Sequence, residues 1–116
     1  MIPGLKGRFD GFSLRVPTPT VSVIDFVAIT SRPVTAESAN AVLVAASAGP
    51  MRGLLGVSTE ELVSTDFRGD ERSSIVDGLS TMVVGENLLK VVAWYDNEWG
   101  YSCRVADLAS FMAARL

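Results

Sequence analysis

The sequence contains no histidine and only one cysteine among its 116 residues. Without histidine, the chain can form neither a Ser-His-Asp triad nor a Cys-His nucleophile pair, and it has no histidine ligand for a metal ion. A single cysteine, Cys103, excludes an internal disulfide and is typical of a protein from a reducing compartment. These two scarcities remove the commonest forms of covalent catalysis and metal binding from the functions open to this chain.

A basic excess and a long apolar run are also missing. There are 10 Lys and Arg residues against 13 Asp and Glu, a formal net charge of −3, which argues against nucleic acid or an anionic membrane as a partner. The longest apolar run, near residues 39–48, is interrupted by Asn40 and Ser47 and is too short to span a bilayer. Pro3 and Lys6 break any secretory signal at the start. With 48% hydrophobic residues, the composition predicts one globular domain with a modest core.

The spacing of the apolar residues predicts an α+β fold with a mixed sheet. Thr35 is placed to cap the first helix, and Gly49-Pro50 is placed to end it. The segment 21–30 is apolar on nearly both faces, which predicts a central strand. Strands are predicted over 11–16, 21–30, 54–55, 62–63, 79–84 and 88–95, with a turn at 85–87, and helices over 36–47 and 99–114.

The stretch from residue 88 to residue 101 is the most informative part of the sequence. An apolar strand over 88–95, predicted to be buried on both faces, stops at Asp96-Asn97-Glu98, and a helical pattern begins directly behind it. Open α/β sheets usually place ligands at the carboxyl ends of their strands. The amide of Asn97 could bind a carboxamide ligand, since it both donates and accepts hydrogen bonds. It could instead cap the last helix, and spacing alone favours that second role.

The segment Val91–Ser102, with the sequence VVAWYDNEWGYS, closely resembles the C-terminal signature of the glyceraldehyde-3-phosphate dehydrogenase family. Residues 79–85 resemble the chloroplast-type branch. The resemblance implies that residues 1–96 are the later part of the catalytic domain, a mixed and largely antiparallel sheet with helices packed on it. It also implies that residues 97–116 form the C-terminal helix that packs on the Rossmann domain. Further matches follow the family order at 2–7, 15–19, 21–25, 63–67 and 73–74.

The same resemblance implies two binding residues and no catalytic one. The family asparagine that matches Asn97 contacts the nicotinamide carboxamide, and the arginine that matches Arg15 binds substrate or inorganic phosphate. A guanidinium held before the stiff segment 16–19 suits bidentate recognition of phosphate. Cys103 is not the nucleophile, because the family nucleophile lies in an earlier Ser-Cys-Thr-Thr-type segment. We expect no metal site in the charged stretch 66–77, which lacks the alternating carboxylates of a calcium loop and reads as a solvated loop or a subunit contact.

The function expected from the resemblance is that of a C-terminal piece of a phosphorylating, NAD(P)-dependent glyceraldehyde-3-phosphate dehydrogenase of glycolysis or the Calvin cycle. The full enzyme would take glyceraldehyde 3-phosphate, inorganic phosphate and NAD or NADP, and would form a homo-oligomer, the family tetramer. The piece alone would be inactive and would leave an apolar helix stripe exposed. We expect a cytoplasmic location, with the plastid as the alternative. The alternative function is a non-catalytic oligomerisation or regulatory module that pairs with full-length subunits.

Overall fold

The computed structural model describes residues 2–116 as a mixed four-stranded sheet with two α-helices. The sheet order is β1-β4-β3-β2, with β1 and β3 antiparallel to β4 and β2 parallel to β3. The predicted α+β class and the largely antiparallel sheet are therefore confirmed. The elements are β1 (Ser22–Ile29), α1 (Ala36–Ala48), β2 (Leu55–Ser58), β3 (Ser74–Val84), β4 (Leu88–Tyr95) and α2 (Trp99–Ala113), with 3₁₀ turns at Pro3–Leu5 and Ser64–Phe67.

The first helix begins and ends where the sequence predicts. Thr35 Oγ1 accepts a hydrogen bond from the Ser38 amide at 3.1 Å, and Ser38 Oγ accepts one from the Thr35 amide at 3.0 Å. This reciprocal capping box satisfies amides that have no partner within the helix. At the other end the Gly49 amide donates to the carbonyls of Ala45 and Ala46. The confirmed boundaries show that α1 is specified by local signals.

A bulge in β3 fastens the sheet to α1. Between the pairs Asp77↔Val92 and Met82↔Lys90, β3 advances five residues and β4 only two, so β3 carries three extra residues. Asn40 on α1 donates to the Gly78 carbonyl at 2.8 Å and accepts from Thr81 Oγ1 at 2.8 Å. The bulge thus presents the polar groups that hold α1 against the sheet.

The small core lies at the end of the sheet where β4 stops. Val21, Phe67 and Ile75 are buried together, and Leu62 and Trp94 pack against them. The Phe67 ring stacks on the Trp94 indole, with 5.6 Å between the ring centroids. Val21 has a φ of +65°, a conformation that is rare for a β-branched residue and persists only where surrounding packing enforces it.

Four predictions about strands are wrong. Residues 11–16 form no strand and are exposed, and residues 62–63 lead into the Ser64–Phe67 turn instead of pairing. The strand predicted over 21–30 is present as β1, but it is an edge strand, because β4 is its neighbour on one side only. Several of its apolar side chains, among them Val27 and Ile29, are exposed. Strand β4 is half-buried along its length, not buried on both faces.

Candidate functional site

The corner between β4 and α2 is organised by the carboxylate of Asp96, which is only 7% exposed. It accepts hydrogen bonds from the backbone amides of Gly69 at 3.0 Å, Trp99 at 3.0 Å and Glu98 at 3.1 Å. The amides of Gly69 and Trp99, with a further contribution from Glu98, hold the pKa of Asp96 below its usual value. Asp96 is therefore a carboxylate at neutral pH, and its charge suits the positive end of the α2 dipole.

Asn97 lies on the outside of this corner and is exposed. Its Oδ1 accepts a long hydrogen bond of 3.5 Å from Ser22 Oγ, and its Nδ2 has no hydrogen-bond partner within residues 2–116. The alternative that Asn97 caps α2 is wrong. Asp96 accepts the free amides at the start of that helix, and the Asn97 side chain accepts none of them. The Asn97 amide group is thus left available to a ligand.

Arg15 lies in the exposed, irregular segment that leads into β1. Strand β1 begins at Ser22, which pairs with Tyr95 at the end of β4, so the segment that carries Arg15 joins the sheet at the end where the Asn97 corner lies. The two side chains share no hydrogen bond in the structure. Ser22 is the seventh residue after Arg15, so their Cα atoms can be at most about 25 Å apart when the chain between them is extended.

A sequence profile described as "Glyceraldehyde 3-phosphate dehydrogenase, C-terminal domain" matches residues 1–97 of this chain. The chain belongs to this glyceraldehyde-3-phosphate dehydrogenase family. A glyceraldehyde-3-phosphate dehydrogenase from Geobacillus stearothermophilus is 51% identical over 115 residues, which cover 99% of this chain and 34% of the relative. The chloroplastic enzyme A of Chlamydomonas reinhardtii is 50% identical over 115 residues, 99% of this chain and 31% of the relative. The chain therefore spans about a third of the length of the relatives it matches.

In this member of the glyceraldehyde-3-phosphate dehydrogenase family, α2 is tied to the loop that holds Gly69. Arg104 donates to Ser73 Oγ at 3.0 Å and to the Glu71 carbonyl at 3.3 Å, and its Nε donates to Asp107 at 2.8 Å. Gly100 lies so close to this loop that an added Cβ would come within 3.1 Å of the Arg72 carbonyl oxygen. The helix and the loop therefore hold the Asp96 corner from two sides.

The acidic stretch 66–77 is organised by contacts with the protein itself. Arg72 Nε donates to Asp70 at 2.9 Å, and this hydrogen bond is the main reason why the pKa of Asp70 lies below its usual value. Asp66 accepts from the Val63 amide, and Asp77 accepts from the amides of the β3 bulge. Within residues 2–116, no three side chains of the kinds that bind metal ions lie close enough together to hold one.

Sequence reasoning missed Asp96, although a signal for it was present. Aspartate is among the strongest helix-capping residues, and Asp96 stands two and three residues before the amides that it accepts. The long-range partner, Gly69, could not be found from spacing.

Cys103 is a half-buried free thiol within α2. Across the described part of the chain, neither helix combines the length and apolar character needed to cross a membrane.

Proposed function

We propose that this chain is the C-terminal part of an NAD(P)-dependent, phosphorylating glyceraldehyde-3-phosphate dehydrogenase and supplies two of its binding groups. The observation that carries the proposal is the exposed Asn97 carboxamide on a corner fixed by a buried carboxylate. Paired donor and acceptor atoms suit a ligand that is itself a carboxamide, such as the nicotinamide ring of NAD or NADP. The full-length enzyme oxidises glyceraldehyde 3-phosphate and incorporates inorganic phosphate to give the acyl phosphate.

Arg15 is the second binding group in this proposal. Its exposed guanidinium can bind the substrate phosphate or inorganic phosphate through two parallel hydrogen bonds. The chain by itself is inactive, because it has no histidine and its one thiol lies within α2. The full-length enzyme is proposed to work in the cytoplasm or in a plastid, since its relatives include a bacterial and a chloroplastic protein.

The C-terminal helix is proposed to pack against the nucleotide-binding domain of the full-length enzyme. Its apolar positions Val105, Leu108, Phe111 and Met112 are all exposed. Covering them would stabilise the helix by about 25 cal/mol for each Å² of apolar surface buried.

A hybrid enzyme distinguishes the proposed dehydrogenase function from the alternative, non-catalytic function. In this hybrid, residues 2–116 replace the matching C-terminal segment of the Geobacillus stearothermophilus relative, which aligns over 115 residues. Dehydrogenase activity of the hybrid, and none from the 116-residue chain alone, is the expected result. An assembled but inactive hybrid would instead favour the alternative function, a non-catalytic module that pairs with full-length subunits. The observation that favours this alternative is the exposure of apolar side chains on β1 and β3, among them Ile29 and Val84, which a second subunit could cover.

Hydrogen exchange should show the packing of α2 directly. The amides of residues 105–112 are expected to exchange at least about tenfold more slowly in the hybrid than in the isolated chain, because helix opening there must also break the new contact. The β3–β4 hairpin turn at 85–87, far from this helix along the chain, provides the internal control. Equal exchange in the two proteins would contradict the proposed packing.

The Asn97→Ala substitution in the hybrid tests the nicotinamide contact. We expect KM for the coenzyme to rise about 10–100-fold, since two neutral hydrogen bonds are worth about 1–3 kcal/mol together. KM for inorganic phosphate should not change. The matched control is Glu98→Gln at the neighbouring exposed position, which should leave both constants unchanged. An unchanged coenzyme KM in Asn97→Ala would reject this role.

A further inference from the structure

The corner that presents Asn97 owes its shape to one buried side chain. Asp96 directly precedes Asn97. The Asp96 carboxylate accepts hydrogen bonds from the amides of Glu98 and Trp99, the two residues after Asn97. The Asp96 carbonyl also accepts the Gly100 amide at 2.9 Å. The backbone around Asn97 is therefore enclosed by hydrogen bonds to Asp96 on its helix side, and its own side chain contributes nothing to this turn.

The same carboxylate reaches across the fold to a distant loop. Gly69, 27 residues earlier in the chain, donates its amide to Asp96 Oδ2 at 3.0 Å. Gly69 has a φ of +77°, and it stands two residues after Phe67, whose ring is stacked in the core on Trp94. The Asp70 amide donates back to the Phe67 carbonyl at 3.2 Å. The position of the corner is thus fixed relative to the core as well as to its own helix.

We propose that Asp96 is a positioning residue for the ligand contact of Asn97: by binding Gly69 and the first amides of α2 together, it sets the direction in which the Asn97 carboxamide points. This inference rests on the proposed function of Asn97. Helix α2 has a separate attachment, the bonds of Arg104 to Ser73 and Glu71. Loss of the Asp96 carboxylate should therefore loosen the corner while the helix stays attached to the loop.

The first test uses the 116-residue chain and ¹⁵N relaxation with amide hydrogen exchange. In Asp96→Asn, the backbone order parameter of Asn97 is expected to fall from about 0.85 to below about 0.6. Exchange at Gly69, Glu98 and Trp99 should accelerate at least about tenfold. An unchanged order parameter at Asn97 overturns the proposal.

Asp77→Asn is the matched control for this test. Asp77 also accepts three hydrogen bonds, from the Leu79 and Ser80 amides and Ser80 Oγ, but it does so in the β3 bulge. The Asp77→Asn substitution should loosen residues 79–80 and leave Asn97 rigid. Asp96→Ser keeps an oxygen for the Trp99 amide but is too short to reach Gly69, so it tests the long-range tie if Asp96→Asn does not fold. In that variant Gly69 should exchange rapidly while Trp99 stays protected, and protection of Gly69 overturns the tie.

The second test measures kinetics in the hybrid enzyme. Asp96→Asn is expected to raise KM for the coenzyme about tenfold without changing KM for inorganic phosphate. If Asn97→Ala raises the coenzyme KM but Asp96→Asn does not, the positioning role is rejected and the proposed function stands. If neither variant changes the coenzyme KM, the proposed function of Asn97 is rejected, and the positioning role is rejected with it. Equal losses for coenzyme and phosphate in Asp96→Asn would mark a general structural role and also reject positioning.

Discussion

Replacing Phe67 with alanine is expected to lower the free energy of unfolding by about 3–5 kcal/mol. Phe67 is only 4% exposed; its ring stacks on the Trp94 indole and belongs to one buried cluster with Val21 and Ile75. The described core has few members, so loss of the Phe67 ring removes a large part of its apolar contact. Small domains have about 5–15 kcal/mol of stability in total, so this single change should remove a large share of it.

Urea unfolding followed by tryptophan fluorescence measures this loss, because Trp94 reports on the stack directly. Phe12→Ala is the matched control: Phe12 is 88% exposed, and its removal should change the free energy of unfolding by less than about 0.5 kcal/mol. The dependence on urea should keep the same slope in both variants if the denatured state is unchanged. A loss below about 1 kcal/mol in Phe67→Ala would contradict the core described here.

The position of this core connects stability to the proposed site. Phe67 anchors the turn that precedes Gly69, and Gly69 donates to the carboxylate that shapes the Asn97 corner. Trp94, the other half of the stack, stands two residues before Asp96 at the end of β4. A packing defect here would therefore reach the candidate binding group through only a few contacts.

Elements specified by local signals were predictable from the sequence. The box formed by Thr35 and Ser38, the stop at Gly49 and the turn opened by Gly85 each act over a few residues, and each lies where the sequence predicts. The hairpin of β3 and β4 follows from the same logic. Such signals do not depend on what the rest of the chain does.

Properties set by distant partners were not predictable. An apolar strand pattern indicates that a surface is suited to burial, but not which polypeptide covers it. The pattern of β1 therefore predicts a central strand, whereas β1 lies at the edge of the sheet. Asn97 and Asp96 are both good capping residues, and spacing favours Asn97, whereas Asp96 is the residue that caps α2. The choice depends on Gly69, which supplies the third hydrogen bond and favours burial of the aspartate. Only the fold brings Gly69 to this corner.

The largest effect on activity is expected from Arg15→Ala in the hybrid enzyme. Two charge-assisted hydrogen bonds to a phosphate group are worth about 3 kcal/mol or more, so kcat/KM for phosphate should fall at least about 100-fold. Arg15→Lys should recover only part of this loss, because an ammonium group cannot reproduce the planar fork of the guanidinium.

Arg8→Ala is the control for Arg15→Ala, since Arg8 lies in the same exposed lead-in segment and carries the same charge. If the two alanine variants weaken phosphate use equally, Arg15 acts only through the general field of positive charge, and salt should then suppress both effects. A bidentate contact predicts instead that the Arg15 effect persists at high salt and that KM for the coenzyme is unchanged. The segment 16–19, stiffened by Pro17 and Pro19, is what would keep the guanidinium in one place while it binds.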